Sequence, residues 1–193
     1  MKFLIVGDLH GNKPSIYYKG FDSVIAPGDF GSDASRVYMF EALKEQLKNP
    51  KSKIQWYDVV GNKKAKEMVL KSISDGRSIL ELLNSLSKPV YAVPGNWDWV
   101  PEKDSKWSVL RQDNFKRMLN GLDNIVNVYH RIVDIGEYQI IGHGITTGPE
   151  YPQYKEDKAR YNKSKLKKIK SEYSRLYKKV SDLFEKATKP VIS

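Results

Sequence analysis

Apolar residues along this chain fall into two kinds of pattern. Three short unbroken runs, Phe3-Leu4-Ile5-Val6, Ser23-Val24-Ile25-Ala26 and Val90-Tyr91-Ala92-Val93, are each closed by Gly or Pro, and such runs predict buried strands. The first two occupy 2–7 and 22–26, with a loop from Asp8 to Lys19 between them. Longer segments repeat apolar residues at helical spacing. Ala34, Val37, Phe40, Leu43 and Leu47 predict an amphipathic helix over 34–48. Lys63 to Leu86 predicts another, with Ile79, Leu82, Leu83 and Leu86 toward a sheet and a break at Asp75-Gly76. The strongest pattern covers 160–187, where Leu166, Ile169, Tyr173, Leu176, Val180, Leu183 and Ala187 form a seam. That seam suits a crossover helix on a sheet or, alternatively, a coiled coil.

The remaining stretches alternate. Ile54 to Val60 predicts a strand ending at the turn Gly61-Asn62, and Leu119 to Gly142 predicts a hairpin. Its strands would run over 124–129 and 130–135, then through Gly136-Glu137 into 138–141. Lys189-Pro190-Val191 repeats Lys88-Pro89-Val90, so a helix exit followed by a strand is expected at both places. Strands mixed with helices indicate an α/β fold.

Composition narrows the class without naming a function. The chain has 193 residues, 40% of them hydrophobic, which suits one domain with a real core and excludes a disordered segment. No apolar stretch approaches the ~20 residues of a membrane span, and Met1-Lys2-Phe3 leads directly into the first strand, so neither a membrane nor a signal peptide is expected. The absence of cysteine excludes disulfides and thiolate ligands and agrees with a cytoplasmic location. A net charge of +10 suits an anionic substrate and admits a nucleic-acid partner. Much of the excess, including Lys163, Lys165, Lys167, Lys168, Lys170, Arg175, Lys178 and Lys179, lies on the last predicted helix, where a solvated polar face explains it equally.

Each of the three strand-like runs ends in glycine followed by a metal-type ligand. Gly7 precedes Asp8-Leu9-His10, Gly28 precedes Asp29, and Gly95 precedes Asn96. Ligands of open α/β sheets gather beyond the carboxyl ends of the strands, so Asp8, His10, Asp29 and Asn96 should share one site. Asp8 and His10, two residues apart, can point the same way as the strand runs out. Oxygen and imidazole donors suit manganese, iron or zinc. Either aspartate alone would be read as capping a turn.

The ordered motifs Asp8-Leu9-His10-Gly11, Gly28-Asp29-Phe30-Gly31 and Gly95-Asn96-Trp97-Asp98 resemble the calcineurin-like metallophosphoesterase superfamily, in particular its small stand-alone phosphodiesterase-like branch. The resemblance implies an α/β sandwich of two β-sheets flanked by helices. It also implies a centre of two divalent ions, manganese first, with iron, zinc or nickel as alternatives. Asp29 would bridge the ions, with Asp8 and His10 on one and Asn96 on the other. Asp29, Asn96 and Asp98 would then be the catalytic residues.

The chain also departs from that pattern. Trp97 stands where many relatives carry a histidine that serves the leaving group, and an indole offers only an N–H donor. Trp97 and Trp99 could stack on a base or pack in the core. The final histidine loop and G-H-x-H motif of the family have no counterpart, since the histidines are His10, His130 and His143. We therefore expect an amino-terminal portion of a single metallophosphoesterase domain over 1–193, incomplete at its carboxyl end. The long interval between Asp29 and Asn96 suggests an insertion around 48–77, functional or a surface excursion. His143 is expected at a strand end, near metal or substrate or simply in a loop, and His130 at the surface. Asn12 could contact phosphate or shape the Gly11-Asn12 turn. The activity implied is metal-dependent hydrolysis of phosphodiester or nucleotide substrates. Its rival is a non-catalytic module binding phosphate or nucleic acid on the same fold, and a third reading is a nuclease component.

Overall fold

The computed structural model describes residues 1–49, 51–101, 105, 107–144, 152, 154–159 and 161–193. Three strands, β1 (Phe3–Ile5), β2 (Ser23–Ala26) and β3 (Val90–Ala92), lie parallel, with Leu4 opposite Val24 and Ile25 opposite Tyr91. A fourth strand, β4 (Ile125–Asn127), joins the far side of β3. β2 and β3 are buried, as near-continuous apolar runs in a parallel sheet require. The core of this region unites Val24, Ala26, Val90 and Ala92 with Phe30, Phe115 and Met118 and with Ile79, Leu80 and Leu83 of a long helix.

Helices α1 (Arg36–Lys48), α2 (Trp56–Val60), α3 (Asn62–Asn84) and α4 (Asn114–Leu119) accompany this sheet. A 3₁₀ turn spans Ser108–Arg111. The strand expected over 54–60 is instead α2. Gln55 and Asp58 close a reciprocal capping box at its start, satisfying two otherwise unpaired N–H groups. Burial of Trp56 against Trp99, Ala42, Ala65, Val69 and Leu110 fixes it there. Segment 48–77 thus contributes to a second hydrophobic cluster.

Two further expectations are corrected. α3 runs through Asp75-Gly76 without a break, because Gly76 serves close approach. A Cβ there would meet Met118 Sδ at 2.8 Å and the Gly31 nitrogen at 3.1 Å. α1 turns Tyr38, Met39 and Ala42 toward the second cluster and leaves Val37, Phe40, Leu43 and Leu47 exposed. The aromatic group around Trp56 has captured the opposite face from the one the spacing indicated.

Residues Met1–Val126 and Asn127–Ser193 form two compact units. The second unit holds a three-stranded sheet of β5 (Ile132–Ile135), β6 (Tyr138–Ile141) and β7 (Val191–Ile192), in that order. β5 and β6 form the expected antiparallel hairpin around Gly136, whose φ of 66° suits glycine. The first strand expected in that hairpin is β4, which belongs to the other sheet because β3 offers it an edge. Helix α5 spans Lys155–Ala159 and α6 spans Lys163–Glu185. α6 starts where the Asn162 side chain accepts the Lys165 N–H at 2.8 Å; position 160 lies outside the described residues. Along its seam Ile169 is buried, Leu166, Leu176, Val180 and Leu183 are half-buried, and Tyr173 is exposed. β7 pairs parallel with β6 through Gln139 opposite Val191, so the second Lys-Pro-Val does introduce a strand. The two sheets and their helices give the α/β class expected.

Candidate metal centre

The loops leaving β1, β2 and β3 are laced together by their own backbones. The N–H groups of Leu9 and His10 both donate to the Asp29 carbonyl, at 3.0 and 2.9 Å. Asp8 donates to the Gly28 carbonyl at 2.9 Å and Gly11 to that of Phe30 at 3.0 Å. The third loop approaches the second so closely that a Cβ on Gly28 would strike the Gly95 backbone. A Cβ on Gly95 would in turn strike Asp29. Glycine is therefore demanded at 28 and 95 by contact, and at 28 also by a φ of 93°.

Asp8, His10 and Asp29 each offer a ligand atom within 4.8 Å of the others'. His10 Nε2 lies 2.8 Å from Asp8 Oδ1, and its buried Nδ1 has no hydrogen-bond partner among the described residues. The Asp8 side chain is 82% exposed and that of His10 25% exposed, so the group opens to solvent on its acidic side. All three residues hold left-handed backbone, with φ of 57°, 46° and 56°. Non-glycine residues pay about 1–3 kcal/mol for such conformations, which cluster at functional sites. Three such residues in one cluster, with oxygen and imidazole donors within 4.8 Å of one another, suit a cation.

Asn96 is exposed and sits between two neighbours that touch Asp29. Gly95 packs against that carboxylate, and the Trp97 N–H donates to Asp29 Oδ1 at 2.8 Å. The half-buried Trp97 ring stands edge-on to His10, with centroids 6.0 Å apart. Asn12 turns its amide back onto its own loop, donating to the Leu9 carbonyl at 2.9 Å. That bond is the one a turn role for Asn12 requires.

Asp98 is fully buried. Its carboxylate accepts from the N–H groups of Asp29 (2.9 Å), Phe30 (2.8 Å), Gly31 (2.9 Å) and Gly95 (2.8 Å). Burial pushes its carboxyl up to about 6, Asp29's charge adding to the rise, while the donors from Gly95, Gly31 and Phe30 pull it back. With four backbone donors on a carboxylate that has no access to solvent, Asp98 is placed to hold loops together. It is the positioning residue that ties the second loop to the third. Gly31 belongs to the same junction, since a side chain there would collide with the Trp97 carbonyl. Trp99 supports it from the core by donating to Ser72 Oγ at 2.9 Å, and Ser72 donates to the Ser32 carbonyl at 2.8 Å. Gly31 is marked in the sequence as the glycine after Asp29-Phe30, whereas nothing there marks Ser72.

The model of one family, the calcineurin-like phosphoesterases, matches residues 1–192. The chain belongs to that family. No curated protein matches it. A solved crystal structure is similar over 79% of this chain at 13% identity and a TM-score of 0.48. The chain spans 56% of the length of that structure. No described helix is long and apolar enough to cross a membrane.

His143 lies in the second unit, where its Nδ1 is 3.1 Å from His130 Nε2. His130, expected at the surface, is half-buried. Burial, then the charges of Lys179 and His143, hold its ring down to about 4. The unfolded chain would protonate this ring near pH 6.5 while the folded chain does not. Stability should therefore fall as pH drops from about 6.5 toward 4. Urea midpoints across that range should slope for the wild type and flatten for His130→Asn.

Proposed function

We propose that this calcineurin-like phosphoesterase hydrolyses phosphodiester or nucleotide substrates at a dinuclear centre built on Asp8, His10, Asp29 and Asn96. The observation carrying the reading is the convergence of Asp8, His10 and Asp29, all in strained left-handed backbone. Two divalent ions, manganese first, would lower the pKa of water and neutralise phosphoryl charge there. Asp8 and His10 would hold one ion, Asn96 the other, and Asp29 both through its two oxygens. Asp98 fixes the loop spacing through backbone donors alone. Asn96 contributes a neutral oxygen, which limits the negative charge facing a phosphate. A cytoplasmic setting suits a chain without cysteine.

Trp97 sets the substrate preference. Beside His10 it supplies a ring face and an N–H, and no group that exchanges a proton near neutral pH. General-acid catalysis is worth about 10²–10⁴-fold, and only poor leaving groups need it. With added Mn²⁺, the wild type should hydrolyse diesters with good leaving groups best. Trp97→His should raise rates most for poor leaving groups, giving a shallower dependence on leaving-group pKa. Equal gains across the series would remove Trp97 from this role. Phosphate binding without turnover of any ester would favour the non-catalytic binding module.

A further inference from the structure

A second pair of nitrogen ligands stands at the open end of the β5–β6 hairpin. His130 comes two residues before Ile132 and His143 two after Ile141, and Ile132 pairs with Ile141 across the hairpin. The two rings meet edge to edge. His130 Nε2 and His143 Nδ1 are 3.1 Å apart, the planes differ by 21° and the centroids lie 5.2 Å apart. Tyr129 stacks on the other side of His130 at 3.9 Å between centroids. The backbone is committed to this arrangement. His130 holds a left-handed φ of 52°, and its N–H donates to the Gly142 carbonyl at 2.8 Å.

His130 holds left-handed backbone of the kind that clusters at ligand clamps, and its Nε2 meets His143 Nδ1 at hydrogen-bond distance. Neutral imidazole is a ready ligand for first-row transition ions, and burial depresses the protonation of both rings. At metal–nitrogen distances of about 2.0–2.1 Å, nitrogens 3.1 Å apart subtend about 95–100° at the ion. That lies between the right angle of tetragonal copper or nickel and the tetrahedral angle of zinc. Each ring must swing its lone pair about 40° off the nitrogen–nitrogen line, which the broad torsion about Cβ–Cγ allows. Lys179 is close enough to act on His130 by its charge, so a dication here is opposed by one cation and bound with moderate affinity.

We propose that His130 Nε2 and His143 Nδ1 form a two-nitrogen site for Cu²⁺, Ni²⁺ or Zn²⁺ that clamps the open end of the β5–β6 hairpin. The site shares no residue with the proposed phosphoesterase centre. Removing His10 should therefore leave it intact. The test uses the full chain, stripped of metal, in a His10→Ala background and titrated with Cu²⁺. Calorimetry, nitrogen couplings in the electron paramagnetic resonance spectrum and hydrogen exchange are the readouts. One ion with two nitrogen ligands and slowed exchange across β5 and β6 are expected. Adding His143→Ala, or His130→Asn with a side chain that tolerates left-handed backbone, should weaken binding at least tenfold and abolish the exchange effect. Copper bound equally in the presence and absence of the two histidines would overturn the proposal. So would the absence of any two-nitrogen copper signal in His10→Ala.

Discussion

Replacing Asp29 with Asn should remove divalent-ion binding and phosphoester hydrolysis together while leaving the fold in place. Asp29 is the residue through which the three strand-end loops communicate. Its carbonyl takes the N–H groups of Leu9 and His10, and its Oδ1 takes that of Trp97. Its carboxylate brings an oxygen within 4.8 Å of the ligand atoms of Asp8 and His10. Asparagine preserves the backbone contacts and tolerates a φ of 56° better than most residues. At the proposed dinuclear centre it would replace one ligating oxygen with an NH₂ group that cannot hold a cation, and the second ion would lose its shared ligand. Loss of an outer partner to a metal ligand typically costs 10–100-fold in affinity. Loss of the bridge itself should exceed about 100-fold, with turnover at background. The checks are Mn²⁺ affinity by calorimetry, hydrolysis of an activated diester, and a urea midpoint close to the wild type. Full activity in Asp29→Asn would sink the two-metal mechanism.

Much of this centre was legible in the sequence because its chemistry is written at strand ends. The runs before Gly7, Gly28 and Gly95 announce parallel strands, and parallel strands deliver their following residues to one edge. Helical periodicity likewise located α1, α3 and α6. What periodicity does not carry is which apolar face wins a partner. Val37, Phe40, Leu43 and Leu47 have the right spacing on α1, yet Tyr38, Met39 and Ala42 are the residues drawn to Trp56. The choice was made by a cluster assembled from Trp56, Val69 and Trp99, which are remote in sequence. Ile54 to Val60 misled for a local reason, since alternation over so few residues is outweighed by a capping box and one buried indole. His130 and His143 were legible in retrospect. They are equidistant from the Gly136-Glu137 turn, and a hairpin brings such residues face to face.

Asp98→Ala should be among the most damaging single substitutions in the chain, although Asp98 touches neither solvent nor a proposed ligand atom directly. Its carboxylate is fully buried and accepts four backbone N–H groups at 2.8–2.9 Å from Asp29, Phe30, Gly31 and Gly95. Alanine leaves all four donors without their acceptor in a space too tight for easy rearrangement, as the close packing of Gly28, Gly31 and Gly95 shows. An unsatisfied buried donor costs about 1–3 kcal/mol. Even with partial relaxation, a loss of about 3–5 kcal/mol is expected, against the 5–15 kcal/mol that holds a typical domain folded. Asp98→Asn retains one acceptor oxygen but turns an NH₂ group toward N–H donors, so it should fall between alanine and wild type. Urea unfolding measures the loss. Metal affinity separates a brace for the site from a brace for the core alone. If Asp98 sets the spacing between Asp29 and Asn96, Mn²⁺ affinity should fall in Asp98→Asn under conditions where the protein is fully folded. A stable Asp98→Asn protein with undiminished Mn²⁺ affinity would show that the spacing of the two loops does not depend on this carboxylate.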